Sequence, residues 1–204
     1  MKGSLVLILI LILTGNLFPQ VDKSAQVETI KAFQDELNSD FTDPEKSPLQ
    51  EKDRLVFREL GFFPVNLDFY IEATLERTPQ AMPFMMQRTK DQVKYVKYGN
   101  AVFIFQGKTY SLELYQNLDL IARNPDYRDH LFLPFTDVTN GTSTYAGGRY
   151  IDLKIPQGNR IVIDFNQAYN PYCAYNKKYS CPIPPKENDL PFAVEAGVKA
   201  FGKH

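Results

Sequence analysis

Six apolar residues, Val65, Leu67, Phe69, Ile71, Ala73 and Leu75, alternate with Asn66, Asp68, Tyr70, Glu72, Thr74 and Glu76. A period of two held over a dozen residues belongs to a strand with one buried and one wet face, because no helix gathers those six side chains on one side. Such a strand needs partners for its backbone and a core for its apolar face. The sequence after it supplies both. Residues 95–98, 101–105 and 109–115 read as three antiparallel strands joined across Gly99-Asn100 and Gln106-Gly107, since glycine supplies the positive φ that short hairpin turns demand. Further strands are predicted at 132–135, 149–155 and 160–165, the last two joined across Pro156-Gln157-Gly158-Asn159. At least seven strands with short connections and no interleaved helices predict a mainly β fold, an antiparallel sheet closed into a barrel or folded into a sandwich.

Two helices are predicted ahead of the sheet, which makes the class α+β. Val27, Ile30, Phe33, Leu37 and Phe41 recur every three to four positions over residues 24–41, the stripe of an amphipathic helix. A second helix is expected over 48–60. Ser47 is placed to cap it, Pro48 suits its first position, Gln50 stands where a capping box puts its reciprocal partner, and Gly61 with Pro64 stops it. Leu49, Val56 and Leu60 would then face inward.

The amino terminus carries one charge, Lys2, followed by the apolar run 5–13. That run is about half the ~20 residues needed to span a bilayer, and its layout matches a secretory signal peptide. Residues 1–20 are therefore expected to be an export signal and 21–204 a single globular domain, periplasmic or secreted. A retained amino-terminal anchor is the alternative, because Leu17-Phe18-Pro19-Gln20 offers no small-x-small cleavage pattern. Removing the segment deletes Lys2 and takes the formal net charge from −1 to −2. A chain of that balance has no electrostatic reason to seek nucleic acid.

Chemistry concentrates in residues 164–181, which hold both cysteines, four of the twelve tyrosines and three asparagines. Two histidines and two cysteines eight positions apart do not make a structural zinc set, and no metal or cofactor is expected. In an exported chain Cys173 and Cys181 are most simply a disulfide, stabilising by about 2.5 kcal/mol through the nine-residue loop that it closes. A redox or nucleophilic pair and two inert thiols are the alternatives; a nucleophile would need a base, and His130, the one internal histidine, reads as a turn residue. Arg149 follows Gly147-Gly148 and shares a strand face with Ile151 and Leu153. Facing inward, its guanidinium would stand at a barrel mouth and hold a carboxylate or phosphate; the plainer reading is an ion pair with Asp164 or Glu187. Tyr169, Asn170, Tyr172, Tyr175, Asn176 and Tyr179 can stack on a flat or sugar-like ligand, or pack on one another over a sheet end. Asn140-Gly141-Thr142 fits a glycosylation acceptor and, better, a turn.

Several of these segments together resemble a known family. Phe63-Pro64-Val65, Tyr98-Gly99, Leu131-Phe132-Leu133-Pro134-Phe135-Thr136-Asp137, Thr144-Tyr145-Ala146-Gly147-Gly148-Arg149-Tyr150-Ile151-Asp152-Leu153, the run from Asp164-Phe165-Asn166 to Cys181, and Pro184-Pro185-Lys186-Glu187-Asn188 resemble the bacterial and archaeal domain of unknown function 1684. The likeness runs over residues 49–199. It implies one domain carrying the whole pattern, and no activity. It singles out Arg149, Asp164, Asn166, Tyr169, Asn170, Cys173, Cys181, Glu187 and Asn188. With Tyr145, these mark a rim of residues 145–152 and 164–188 where a small polar ligand is expected to bind. The rivals are a hydrolase or transferase using Asp164 or Glu187 as acid or base with Cys173 as nucleophile, and a module whose tyrosine-rich loop docks an envelope protein.

Overall fold

The computed structural model of the protein describes residues 23–202, so the expected export segment lies outside the described residues. Helix α1, Lys23–Thr42, buries Ile30 and Phe41 from the predicted stripe. The second helix shrinks to the single turn α2, Glu51–Arg54. Ser47 Oγ accepts from Leu49 N at 3.3 Å, and the turn opens at Gln50 without a side-chain cap. Val56 of the expected stripe is 75% exposed, as is its neighbour Leu55 at 73%, so the middle of the predicted helix finds no surface to pack against. A short helix depends on such packing more than on propensity. Leu49 and Leu60 are buried beside Phe41, but Leu60 N donates to Asn38 Oδ1 at 2.8 Å, a tertiary bond where a helical one was expected.

Strand β1, Tyr70–Arg77, carries the alternation, with Ile71, Ala73 and Leu75 buried and Glu72, Thr74 and Glu76 exposed. The residues before it form a 3-10 turn, Leu67–Phe69, because Asn66 folds its side chain back to accept Asp68 N at 2.9 Å. Strand β2, Phe84–Gln87, has no counterpart in the sequence reading. Strand β3, Gln92–Phe105, passes straight through Gly99-Asn100, where a hairpin turn was expected. Its register with β4, Lys108–Asn117, slips between Lys97 and Gly99. Glycine is needed at 99 for contact, since a Cβ there would stand 2.5 Å from Glu76 O of β1. The other predicted turn is real: Gln106 and Gly107 take φ values of 49° and 75°, the two positive values of a tight hairpin.

After helix α3, Leu118–Arg123, come β5, His130–Asp137, β6, Arg149–Lys154, β7, Arg160–Asp164, and the short β8, Asp189–Leu190. The strands form one sheet in the order β6-β5-β4-β3-β1-β7, with β2 added to β3 and β8 running parallel to β5. The sheet curls into a half-barrel. Strands β6 and β7, expected as a hairpin, lie at opposite ends of that order, so residues 155–159 link the two lips of an open seam. The chain leaving β7 crosses the seam through the 3-10 turn Phe165–Gln167. Tyr169 then pairs with Tyr150 of β6 by two backbone hydrogen bonds of 2.9 and 3.0 Å.

One core holds Leu112, Leu114, Leu131, Leu133, Phe135, Ile151, Ile163 and Phe165 together with Val194 and Ala196 from the carboxyl-terminal segment. Phe132 points the other way, into a second cluster with Tyr95, Tyr115 and Tyr150. Burial on both faces explains why β5 reads as an unbroken apolar run. Among the described residues no helix is long and apolar enough to cross a membrane.

Candidate functional site

Most of the polar residues singled out by the sequence hold the half-barrel together. Arg149 lies fully buried at the start of β6. Its guanidinium donates to Asp137 Oδ2 at 2.9 Å and to the carbonyls of Val194 at 2.8 Å, Val198 at 3.4 Å and Ala196, leaving Nε–H as its unpaired donor. The pair thus ties the carboxyl-terminal segment to the end of β5. Burial lowers the pKa of Arg149, and Asp137 opposes that shift. The structure therefore corrects the barrel-mouth placement, and it supplies Asp137 where Asp164 or Glu187 was expected as partner. Sequence reading missed Asp137, although it is the acid that ends the apolar strand β5.

Three asparagines stand in for missing backbone pairing. Asn188, wholly buried, accepts Glu113 N at 2.7 Å and donates to Glu113 O at 2.9 Å and Pro134 O at 2.7 Å. It thereby bridges β4 and β5, whose direct ladder is confined to Tyr115 and Phe132; Pro134 has no N–H to give. Asn166 treats residue 66 in the same manner, accepting its N–H and donating to its carbonyl, each at 2.9 Å. Asn170 donates to Lys199 O at 2.9 Å. Asp164 caps the 3-10 turn, accepting from Asn166 N at 3.0 Å, Asn166 Nδ2 at 2.8 Å and Gln167 Nε2 at 3.1 Å. Glu187 is exposed, and no hydrogen bond or ion pair among the described residues joins it to Arg149 or Asp164. The tyrosine loop packs on α1 and on itself: Tyr175 is buried against Phe41 with ring centroids 4.7 Å apart, and Tyr172 leans on Tyr179 at 5.2 Å. Asn140 is a turn residue, with Oδ1 accepting Asp137 N at 2.6 Å and Nδ2 donating to Thr144 Oγ1 at 2.9 Å.

Two places retain free chemistry. The first is a cleft of about 390 Å³ in the open seam, between the lips of β6 and β7 and the first turns of α1. Its polar lining is Gln26, Thr29, Tyr70, Asp152, Asp164 and Gln167, and no lysine or arginine lines it. At one edge Asp152 accepts from Tyr169 OH at 2.7 Å and lies 2.8 Å from His130 Nε2. Burial, with the Asp152 carboxylate, pushes the Tyr169 phenol well above its ordinary range, so it acts as a donor. His130, read from sequence as a turn residue, is held by Asp152; only the fold brings the two strands together.

The second place is the cysteine pair. The expected disulfide is absent, and both thiols are free. Thr89 fixes Cys181 by its backbone, with Thr89 N donating to Cys181 O at 3.0 Å and Cys181 N donating to Thr89 Oγ1 at 3.2 Å. Cys181 Sγ is thereby presented to the Cys173 amide, which donates to it at 3.2 Å. Tyr145 OH lies 3.8 Å from Cys173 Sγ. The Cys181 thiol and the Tyr145 hydroxyl bring Cys173 down to about 6 against the opposing effect of burial, while the same contact and burial push Cys181 far up. Tyr145 itself rises to about 12, through burial first and then its contact with Cys173.

A single, mainly antiparallel sheet curled into a half-barrel, its seam crossed by a loop and held by buried asparagines and one buried ion pair, defines the structural class. The chain belongs to the family described as Protein of unknown function (DUF1684), whose sequence profile matches residues 56–199. It is similar to an uncharacterised protein of Haloarcula marismortui, whose solution NMR structure agrees with a TM-score of 0.69 at 31% identity, covering 87% of this chain and 96% of that one. No curated protein matches it. The matched span holds every strand, whereas α1, which walls the seam cleft, lies outside it.

Proposed function

We propose that the protein binds a small amine- or hydroxyl-bearing molecule in the seam cleft. The observation that carries this reading is the lining: two carboxylates, Asp152 and Asp164, with Gln167, Gln26 and Thr29 and no lysine or arginine, the nearest titratable nitrogen being His130 on the far side of Asp152. A volume of about 390 Å³ lies in the range of small-molecule sites, and apolar Ala25, Ile151, Leu153 and Val162 give a carbon skeleton something to rest on. Such a pocket rewards hydrogen-bond donors and positive charge. The site overlaps the rim of residues 145–152 and 164–188 at Ile151, Asp152, Asp164 and Gln167, and takes the rest of its lining from α1 and from Tyr70, Leu153 and Val162. The amino-terminal charge and apolar run support placing this activity outside the cytoplasm.

A hydrolase or transferase built on Asp164 or Glu187 has less support, since neither Glu187 nor the expected nucleophile Cys173 lines the cleft with Asp164. The test is thermal stabilisation by a panel of diamines, amino sugars and neutral sugars. Thr29 is exposed on α1 and lines the cleft, so Thr29→Arg should fill the space with a cation and abolish stabilisation without unfolding the protein. Stabilisation that survives Thr29→Arg would place the ligand elsewhere.

A further inference from the structure

We propose that Cys173 and Cys181 form a peroxide-reactive dithiol in which Cys173 attacks and Cys181 resolves. The placement of the two sulfurs carries the inference. Cys173 follows Pro171 in the 3-10 turn Tyr172–Ala174 and is half-buried, whereas Cys181 is 6% exposed. An oxidant therefore meets Cys173 first. Cys181 waits behind it, its sulfur 3.2 Å from the backbone nitrogen of Cys173 and its own backbone pinned on both sides by Thr89.

The surroundings favour a thiolate at Cys173 and a thiol at Cys181. Facing the pair are Tyr145 from the chain entering β6, Tyr150 within β6, and Arg88 just past the end of β2, the last shared with Asp91 at 3.4 Å. Tyr145 OH can donate to a sulfur anion, and the Arg88 charge favours that anion. The Cys181 thiol first, then Tyr145 and Arg88, hold Cys173 near 6, while the same sulfur contact and burial keep the proton on Cys181.

The chemistry balances. The Cys173 thiolate attacks one oxygen of hydrogen peroxide; the S–O bond forms, the O–O bond breaks, and hydroxide leaves. Cys181 then gives up its proton and attacks the Cys173 sulfenic sulfur, expelling a second hydroxide as the S–S bond forms. One peroxide and two thiols become one disulfide and two waters. Two equivalents of a low-molecular-weight thiol restore the pair, leaving as their own disulfide.

Reduced full-length protein is treated with hydrogen peroxide across about pH 5 to 9, then acid-quenched, denatured, alkylated and mapped. The expected product is a disulfide between Cys173 and Cys181, formed with a rate midpoint near pH 6. A lower thiol pKa gives more thiolate but a weaker nucleophile, so the rate should exceed that of an unstructured cysteine peptide about tenfold at pH 6 and only about two- to threefold at pH 7. In Cys181→Ser, dimedone should trap a sulfenic acid at Cys173. Tyr145→Phe should move the rate midpoint upward, which a merely structural tyrosine would not do. Native wild-type protein given substoichiometric iodoacetamide should label Cys173 first, a readout that needs no variant to fold. Two thiols surviving peroxide, first labelling at Cys181, or a midpoint above about pH 8 would each overturn the proposal.

Discussion

Arg149→Met separates a guanidinium that binds ligand from one that holds the fold. Both side chains of the Arg149–Asp137 pair are wholly buried, at 2.9 Å. Removing the cation strands a carboxylate in the interior, a change that costs about 3–5 kcal/mol where such pairs have been broken. Asp137 keeps the N–H and hydroxyl of Thr139 at 2.9 and 2.6 Å and Val194 N at 3.1 Å, which solvate it and draw the figure toward the lower end. The carbonyls of Val194 and Ala196 lose their donor, which adds about 1 kcal/mol or more. We expect a loss near 4 kcal/mol, and at about 2–4 °C per kcal/mol for a domain of this size, a fall in Tm of roughly 8–16 °C. The chain has no tryptophan, so urea unfolding is followed by circular dichroism and tyrosine fluorescence. Adding Asp137→Asn to Arg149→Met should recover about 1 kcal/mol or more, because the buried negative charge is gone. A loss below about 1 kcal/mol in Arg149→Met, with full cooperativity, would refute the structural role.

Two other outcomes follow from the same geometry. Asn188→Ala removes three bonds and leaves Pro134 O and both backbone groups of Glu113 without their partner, so it should cost about 2–4 kcal/mol, whereas Glu187→Ala, one residue away and exposed, should stay within about 0.5 kcal/mol in parallel urea curves. In reducing buffer the thiols should make stability depend on pH. Between about 6 and 9 the folded Cys173 has lost a proton that the unfolded chain still binds, so its contribution grows with rising pH. Above 9 the unfolded chain releases the proton that folded Cys181 keeps, and the contribution falls. The unfolding free energy of wild type minus that of the Cys173→Ser, Cys181→Ser double variant should therefore peak near pH 9; a flat difference would contradict the assigned charge states.

Local periodicity made α1 and the buried face of β1 readable, because side-chain direction along one element depends on few neighbours. The same logic failed where pairing is decided at long range. Gly99-Asn100 carries a turn composition but continues a strand, since β1 passes so close that only glycine fits. Residues 156–159 do turn, yet the flanking strands pair with β5 and β1 because the sheet curls through six strands before it returns to them. The rim was legible as a concentration of polar residues. Their use was not: Asn166 and Asn188 spend their amides on backbone groups about 100 and 75 positions away, distances along the chain that no local pattern encodes. The pairing of His130 with Asp152, and of Cys181 with Thr89, depends on the same returns.

The proposed binding site is the open seam between β6, β7 and α1. Amide chemical-shift mapping of the full-length, isotope-labelled protein titrated with spermidine, glucosamine and glucose tests it directly. The predicted result is a saturable set of shifts at Gln26, Thr29, Asp152, Asp164 and Gln167 for at least one of the amine-bearing compounds. Shifts gathered instead at Asn66, Asp68, Gln106 and Glu195, which line a separate groove of about 620 Å³, or no shifts with any of the three, would contradict it.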